Sequence, residues 1–236
     1  DGYFTASSET YGAKFLLNHV DKMKNDGLIS VKGGTFVNYN PEMSYSENPP
    51  MNFVADGYTV SKSIDGENTI YTVVKGNSVS SSEEISNLIS SLQDGDVADV
   101  YLSNDIELDG TLPMFINPNT TVNLNLNGNT FTNKVKGRAA IINDGTMTIS
   151  NGKIVNGNNE AQGGCAVLNR SIMIIEDGEF GSSEQRGAAI ENKGQLTING
   201  GKFTSLEKGS DNLNGYAYVF INRGDDNAIM TINNAT

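Results

Sequence analysis

The sequence predicts an all-β chain, a parallel β-helix solenoid that carries one short capping α-helix. Three observations predict it: short apolar runs closed by Asn/Gly turns recur along the chain, the recurring segments align residue for residue, and one stretch departs into helical spacing. The reference segment is Gly187 to Phe203, GAAIENKGQLTINGGKF, which holds three apolar runs. Gly164 to Phe180 (GCAVLNRSIMIIEDGEF) and Gly137 to Ile154 (GRAAIINDGTMTISNGKI) follow the same plan. Gly215 to Ile232 repeats it around a small insertion, and Gly12 to Phe36 around a longer one. Self-similarity at a period of roughly 20–30 residues is the mark of a solenoid.

Strands of about four residues bury too little to stand alone, whereas stacked coils bury them in parallel sheets. Alternation assigns the faces. In the middle run Met147 and Ile149, Met173 and Ile175, Leu196 and Ile198, and Met230 and Ile232 point inward, with Ile29 and Val31 as upstream equivalents. Thr148, Ile174, Thr197, Thr231 and, upstream, Ser30 point outward. The third run supplies a second inward column, Phe36, Phe131, Ile154, Phe180 and Phe203. After the first run, Asn18, Asn143, Asn169, Asn192 and Asn222 fall in register. Asparagine accepts the left-handed turn conformation, and its amide both donates and accepts, so these side chains predict a structural ladder at one corner.

These coils resemble the right-handed parallel β-helix proteins of the pectate-lyase-like superfamily, which includes polysaccharide lyases, glycoside hydrolases, phage tailspikes and fibres, and bacterial adhesins. The GGxF segments, Gly33 to Phe36 and Gly200 to Phe203, are similar to coils of repetitive surface or virion proteins of gut bacteria and their phages. The resemblance covers roughly two thirds of the chain. It implies the fold, an extracellular, cell-surface or virion location, and a cell-surface glycan or host receptor as partner. Fibres of this kind are often homotrimers, although no partner face is marked in the repeat. Activity is not implied, because one scaffold hosts many functions.

Residues 1–76 read as the C-terminal coils and closing hairpin of one β-helix module. An insertion, His19 to Gly27, interrupts the first coils as a helical excursion or long turn. The Pro-interrupted loop from Asn40 to Pro50 ends the regular pattern. Tyr58-Thr-Val-Ser and Ile70-Tyr-Thr-Val-Val then flank Asp65-Gly66, a hairpin signal. Residues 77–96 read as linker and capping helix: Ser81 with Glu84 makes a capping box, and Ile85, Leu88, Ile89 and Leu92 share one helical face. Such a helix would cover the mouth of the coils that follow. From 97 to 236 strands resume as the N-terminal coils of a second module, which stops inside a coil. Asp1-Gly2-Tyr3-Phe4 matches Asp177-Gly178-Glu179-Phe180, so a piece of a longer protein is expected.

Composition removes several function classes. The 236 residues carry a net charge of −12, which argues against a nucleic-acid groove and its basic footprint. No run approaches the ~20 apolar residues of a membrane span, so no membrane insertion is expected. The lone Cys165 excludes an intramolecular disulfide, and its neighbours Ala166 and Val167 mark it as a small core residue. The single histidine, His19, lies far along the chain from it, so no cysteine–base pair is suggested.

Three constellations bear on chemistry. Asp105, Glu107 and Asp109 alternate with Ile106 and Leu108 and leave one strand face, near Asp94, Asp96 and Asp99. Such carboxylates either form a solvated face, hold Ca²⁺ through oxygen ligands, or serve as the acid and base of a glycosidase. Otherwise no cofactor or metal is implied. Arg170, Lys193 and Arg223 each follow a ladder asparagine and could line one corner as an anionic-glycan stripe, or simply be solvated turn residues. The outward Thr148, Thr197 and Thr231 could present hydroxyls to sugars, although Thr also suits exposed strands. Short turns and the lack of a convergent catalytic set favour a non-enzymatic structural or adhesive module of a long surface fibre. The rival is a polysaccharide depolymerase, a tailspike-like glycoside hydrolase or lyase working through Asp105, Glu107 and Asp109.

Overall fold

Four-residue strands with one apolar face find partners by lying on their own repeats, and the structure realises that stacking. The computed structural model describes residues 2–5, 16–18, 29–45, 49–108, 113–134, 138–157, 164–182, 187–205, 218–224 and 227–236. The chain divides into two units, Asp1–Ser78 and Val79–Thr236.

The larger unit is a parallel β-solenoid whose coils each give one strand to each of three sheets. A wide sheet of seven strands has six in this unit, in the order Val97–Leu102, Thr121–Asn125, Thr146–Ser150, Ile172–Ile175, Gln195–Ile198 and Ile229–Ile232, and its edge strand Asn77–Val79 enters the unit at Val79. A phenylalanine sheet of five takes Ile106–Leu108, Thr130–Asn133, Lys153–Asn156, Glu179–Ser182 and Lys202–Ser205. An asparagine sheet of five takes Met114–Ile116, Ile141–Asn143, Cys165–Asn169, Ala188–Asn192 and Tyr218–Asn222. Register is kept from coil to coil: Met147 pairs with Met173, Met173 with Leu196, and Leu196 with Met230, each in parallel.

The inward columns meet in one core. Met147, Ile149, Met173, Ile175, Leu196, Ile198, Phe131, Ile154, Phe180 and Phe203 are buried in it, and Phe180 stacks on Phe203 with ring centroids 5.1 Å apart. Met230 is only partly buried and Ile232 is exposed in the last strand of the wide sheet. Cys165 is buried, but in a separate small cluster with Ala139 and Ala188, against Ile142, Leu168 and Ile221.

The helix spans Ser82–Ser91 and packs against Ile106–Leu108 and Met114–Ile116 of the first coil. Ile85 and Ile89 enter the core, with Leu88 and Leu92 partly buried beside them. Ser81 caps it by accepting the Glu84 N–H, while the Glu84 carboxylate accepts from the N–H and hydroxyl of Ser80. The return bond of the capping box thus goes one residue further out than expected, and those two donors hold the Glu84 carboxyl below its ordinary value.

The smaller unit is a four-stranded sheet in the order Tyr3–Phe4, Gly34–Val37, Asn68–Lys75, Tyr58–Asp65. Its first pair is parallel and the rest antiparallel, the long hairpin turning at Gly66 with φ +60°. Phe36, Tyr39, Val60 and Val73 form its core, and Phe4 stacks on Phe36 at 4.9 Å. The upstream equivalents of the middle run do not form a coil strand. Val31 makes one bridge, because Phe53 and Ala55 take its backbone groups. Ile29 is half-buried, Ser30 is exposed, and neither lies in a strand.

Candidate functional site

The corner where the asparagine sheet turns into the wide sheet has an inner and an outer side, and both are built from the same few residues per coil. On the inner side, Asn143 Nδ2 donates to Asn169 Oδ1 at 2.8 Å, Asn169 to Asn192 at 2.8 Å, and Asn192 to Asn222 at 2.7 Å. The second amide proton of each reaches a backbone carbonyl of the next coil: Ile172, Gln195 and Ile229 in turn. Each Oδ1 also accepts the N–H two residues on, from Gly145, Ser171 and Gly194. Asn143, Asn169 and Asn192 are fully buried, so these amides satisfy one another and the turn. Asn222, at the far end, is exposed and donates to the Ala228 carbonyl.

The ladder's physical basis differs from the expectation in one respect. Its asparagines lie in strands, and among the described residues the left-handed asparagines of the solenoid are Asn119, Asn127 and Asn151 instead. What selects asparagine at the ladder is a buried donor and acceptor at every level. Asn18 lies in the other unit, exposed and outside any strand. The corner also needs glycine: a Cβ on Gly194 would lie 2.2 Å from the Ser171 carbonyl oxygen, and one on Gly145 would lie 2.4 Å from that of Asn117.

On the outer side, the residues after the ladder positions stack as Asp144, Arg170, Lys193 and Arg223. The N–H of each bonds the coil before it, to the carbonyls of Ile116, Asn143, Asn169 and Asn192. The three predicted cations are therefore brought into one column. Arg170 pairs with Asp144 at 3.6 Å. Lys193 and Arg223 both reach Glu191 Oε1, at 3.2 and 3.6 Å. The side chain of Glu191 is 15% exposed, whereas those of Arg170, Lys193 and Arg223 are 44, 41 and 63% exposed. Beside this column lies an open groove of about 360 Å³ lined by Arg170, Ser171, Ile172, Lys193, Gly194, Gln195 and Asn227.

The predicted threonines lie on the adjoining wide sheet. Thr148, Ile174, Thr197 and Thr231 are consecutive register partners, with Thr148 and Thr197 half-buried and Thr231 exposed. They stand two residues along the strands from Thr146, Ile172, Gln195 and Ile229, so the groove's Ile172 and Gln195 belong to the neighbouring outward column.

The acidic strand is arranged otherwise. Asp105 Oδ1 accepts the Thr130 N–H at 2.7 Å, and Glu107 pairs with Lys134 at 2.6 Å. Asp94, Asp96 and Asp99 accept from Asn119, Gln93 and Asn123. Asp109 lies outside the described residues. Among the described residues, no three carboxylates, histidines or cysteines are grouped to hold a metal.

Two charged neighbours of the column escaped the sequence reading, the counter-ions Asp144 and Glu191. The first could have been found as the residue after Asn143. The second breaks an apolar outward column, Ile142, Leu168, Glu191 and Ile221, which is visible once the coils are aligned. A second buried polar column, Asn133, Asn156 and Ser182, was also missed. It closes the strands TFTN, KIVN and EFGS at the same position.

With this geometry in hand, comparison adds no relative. No protein-family model, curated protein or solved structure matches the chain.

Proposed function

We propose that the chain is a non-enzymatic module of a long extracellular, cell-surface or virion fibre, attaching to a glycan or host receptor through the basic corner groove. The carrying observation is the open groove at the basic corner. Arg170 and Lys193 border one open groove with amides and a hydroxyl beside them, and Arg223 continues their column. Asp105 and Glu107 each give one carboxylate oxygen to the neighbouring coil, to the Thr130 N–H and to Lys134. Guanidinium and ammonium donors beside side-chain amides suit hydroxyl- and carboxylate-bearing sugars. A parallel solenoid holds such donors on hydrogen-bonded backbone, so little ordering is required on binding. Right-handed coiling and kinship with the pectate-lyase-like β-helices belong to the same proposal, as does a homotrimeric assembly. The reading needs no cofactor, and binding should survive chelation of Ca²⁺.

The test is incubation with a polysaccharide panel, reading retained binding and glycan chain length together. Retention of at least one glycan without shortening is the expected result, with retention reduced in Lys193→Gln. A glycan shortened by the wild type but not by Asp105→Asn or Glu107→Gln would instead establish a depolymerase.

A further inference from the structure

Resting on the reading of an assembled fibre, we infer that the outer face of the asparagine sheet is where copies of this chain meet, side by side and level with one another. Phe115, Ile142, Leu168, Glu191 and Ile221 are consecutive register partners on that face, so five coils present one outward column. Every member but Glu191 is large and apolar. Phe115 is 40% exposed, and Ile142, Leu168 and Ile221 are half-buried. These three pack against the small cluster of Ala139, Cys165 and Ala188, separate from the main core, which holds them as a fixed row.

The other two sheets present different outer faces. The wide sheet mixes its apolar side chains with polar ones, in the columns Thr146, Ile172, Gln195, Ile229 and Thr148, Ile174, Thr197, Thr231. The phenylalanine sheet shows Thr130, Lys153, Glu179 and Lys202 in one column and Thr132, Val155, Gly181 and Thr204 in the next. Among the described residues, one outward column is therefore made mainly of large apolar side chains, and covering it is favoured in proportion to its area. Glu191 does not oppose that burial, because Lys193 and Arg223 already hold its carboxylate at 3.2 and 3.6 Å. A covered charge is costly chiefly when it lacks a partner.

A second copy is the partner that fits. Its column repeats the same four apolar levels and one charged level at the same spacing of about 4.8 Å. With the two axes parallel, as in a fibre, apolar levels meet apolar levels and each Glu191 faces the Lys193 and Arg223 of the other copy. A slip of one level would set Glu191 against Leu168 or Ile221, so the single charged level fixes the register, as one polar residue does in an apolar seam. The five strands span a face of about 500 Å², so two copies bury about 1,000 Å² between them, the lower bound of a specific interface.

The experiment is sedimentation equilibrium of the full chain at concentrations up to about 1 mM, where even weak association is seen. Far-ultraviolet circular dichroism checks the fold of each variant. The wild type should sediment as an oligomer at the upper concentrations. Leu168→Arg, which puts an unpaired cation on an apolar level, should weaken association by about tenfold or more. Phe115→Ser, at the most exposed apolar level, should weaken it about fivefold without touching the core. Val97→Arg removes a still more exposed apolar side chain, 65% exposed, from the wide sheet and should leave association unchanged. A wild type that stays monomeric throughout overturns the inference. So does association that Leu168→Arg and Phe115→Ser leave intact, or that Val97→Arg weakens as much. Should Leu168→Arg fail to fold, Phe115→Ser decides alone. Glycan retained by a monomeric wild type would overturn this inference and leave attachment standing, whereas an assembling protein that retains no glycan would do the reverse.

Discussion

The two units begin from the same coil motif and diverge in what lies beside it. In the solenoid, Phe180 stacks on Phe203 and its strand pairs in parallel on both sides, with Lys153–Asn156 and Lys202–Ser205. In the smaller unit, Phe36 stacks on Phe4 in the same way, but the other neighbour of its strand is the antiparallel Asn68–Lys75. A GGxF segment therefore encodes an aromatic stack and one parallel partner. Whether the stack continues depends on the next segment. Where another coil follows, a column forms; where a hairpin with Asp65-Gly66 follows, the sheet turns antiparallel.

The comparison can be broken most strongly at the aromatic column. Phe180→Ala should cost about 4 kcal/mol in the solenoid, because parallel neighbours on both sides prevent the cavity from collapsing. Phe36→Ala should cost less, since its stacking partner Phe4 is 44% exposed and can close over the gap. Native-state hydrogen exchange, read separately for the two units, measures both. Equal losses would show that the column adds nothing beyond one stacked pair.

The ladder comes next. Asn169→Leu removes the donor to Asn192 and the acceptor of Asn143 at a fully buried level, and should cost about 3 kcal/mol. The corresponding change at the exposed Asn18 should cost almost nothing. Gly194→Ala, which drives a Cβ into the Ser171 carbonyl, should cost about 2 kcal/mol. Urea unfolding followed by near-ultraviolet and far-ultraviolet signals reports each.

The smallest effect separates the units by pH. Glu42 accepts from the Thr59 hydroxyl at 2.8 Å and the Val60 N–H at 3.0 Å, yet burial dominates and pushes its carboxyl above the ordinary 4.5. A raised carboxyl favours folding fully below that ordinary value, and the contribution is lost as pH rises through the higher, folded value. Glu42→Gln keeps the acceptor without the charge. The smaller unit of this variant should lack that loss on going to neutral pH, while exchange in the solenoid stays unchanged.

Much of the fold was legible because the repeat supplies several readings of each position. Met147, Met173 and Leu196 identify an inward column that no single coil would establish. The same repetition exposed the ladder and the stripe of Arg170, Lys193 and Arg223. What was not legible depended on contacts between coils. Glu191 pairs with Lys193 in its own coil but with Arg223 in the next, and the fates of Asp105 and Glu107 are decided by Thr130 and Lys134, more than twenty residues along the chain. The upstream coil misled for a related reason. Val31 has the right alternation, yet Phe53 and Ala55 reach its backbone first.

The corner's inner asparagines hold the fold, while its outer cations are proposed to meet the ligand, and one measurement separates the two sides. It is glycan retention by the Lys193→Gln/Arg223→Gln double variant, taken with its urea unfolding curve. The expected result is retention lost and unfolding lowered by no more than about 2 kcal/mol, the cost of leaving the 15%-exposed Glu191 without its two cations. Full retention by the double variant, or retention lost only together with the fold, would contradict the assignment of this corner as the attachment site.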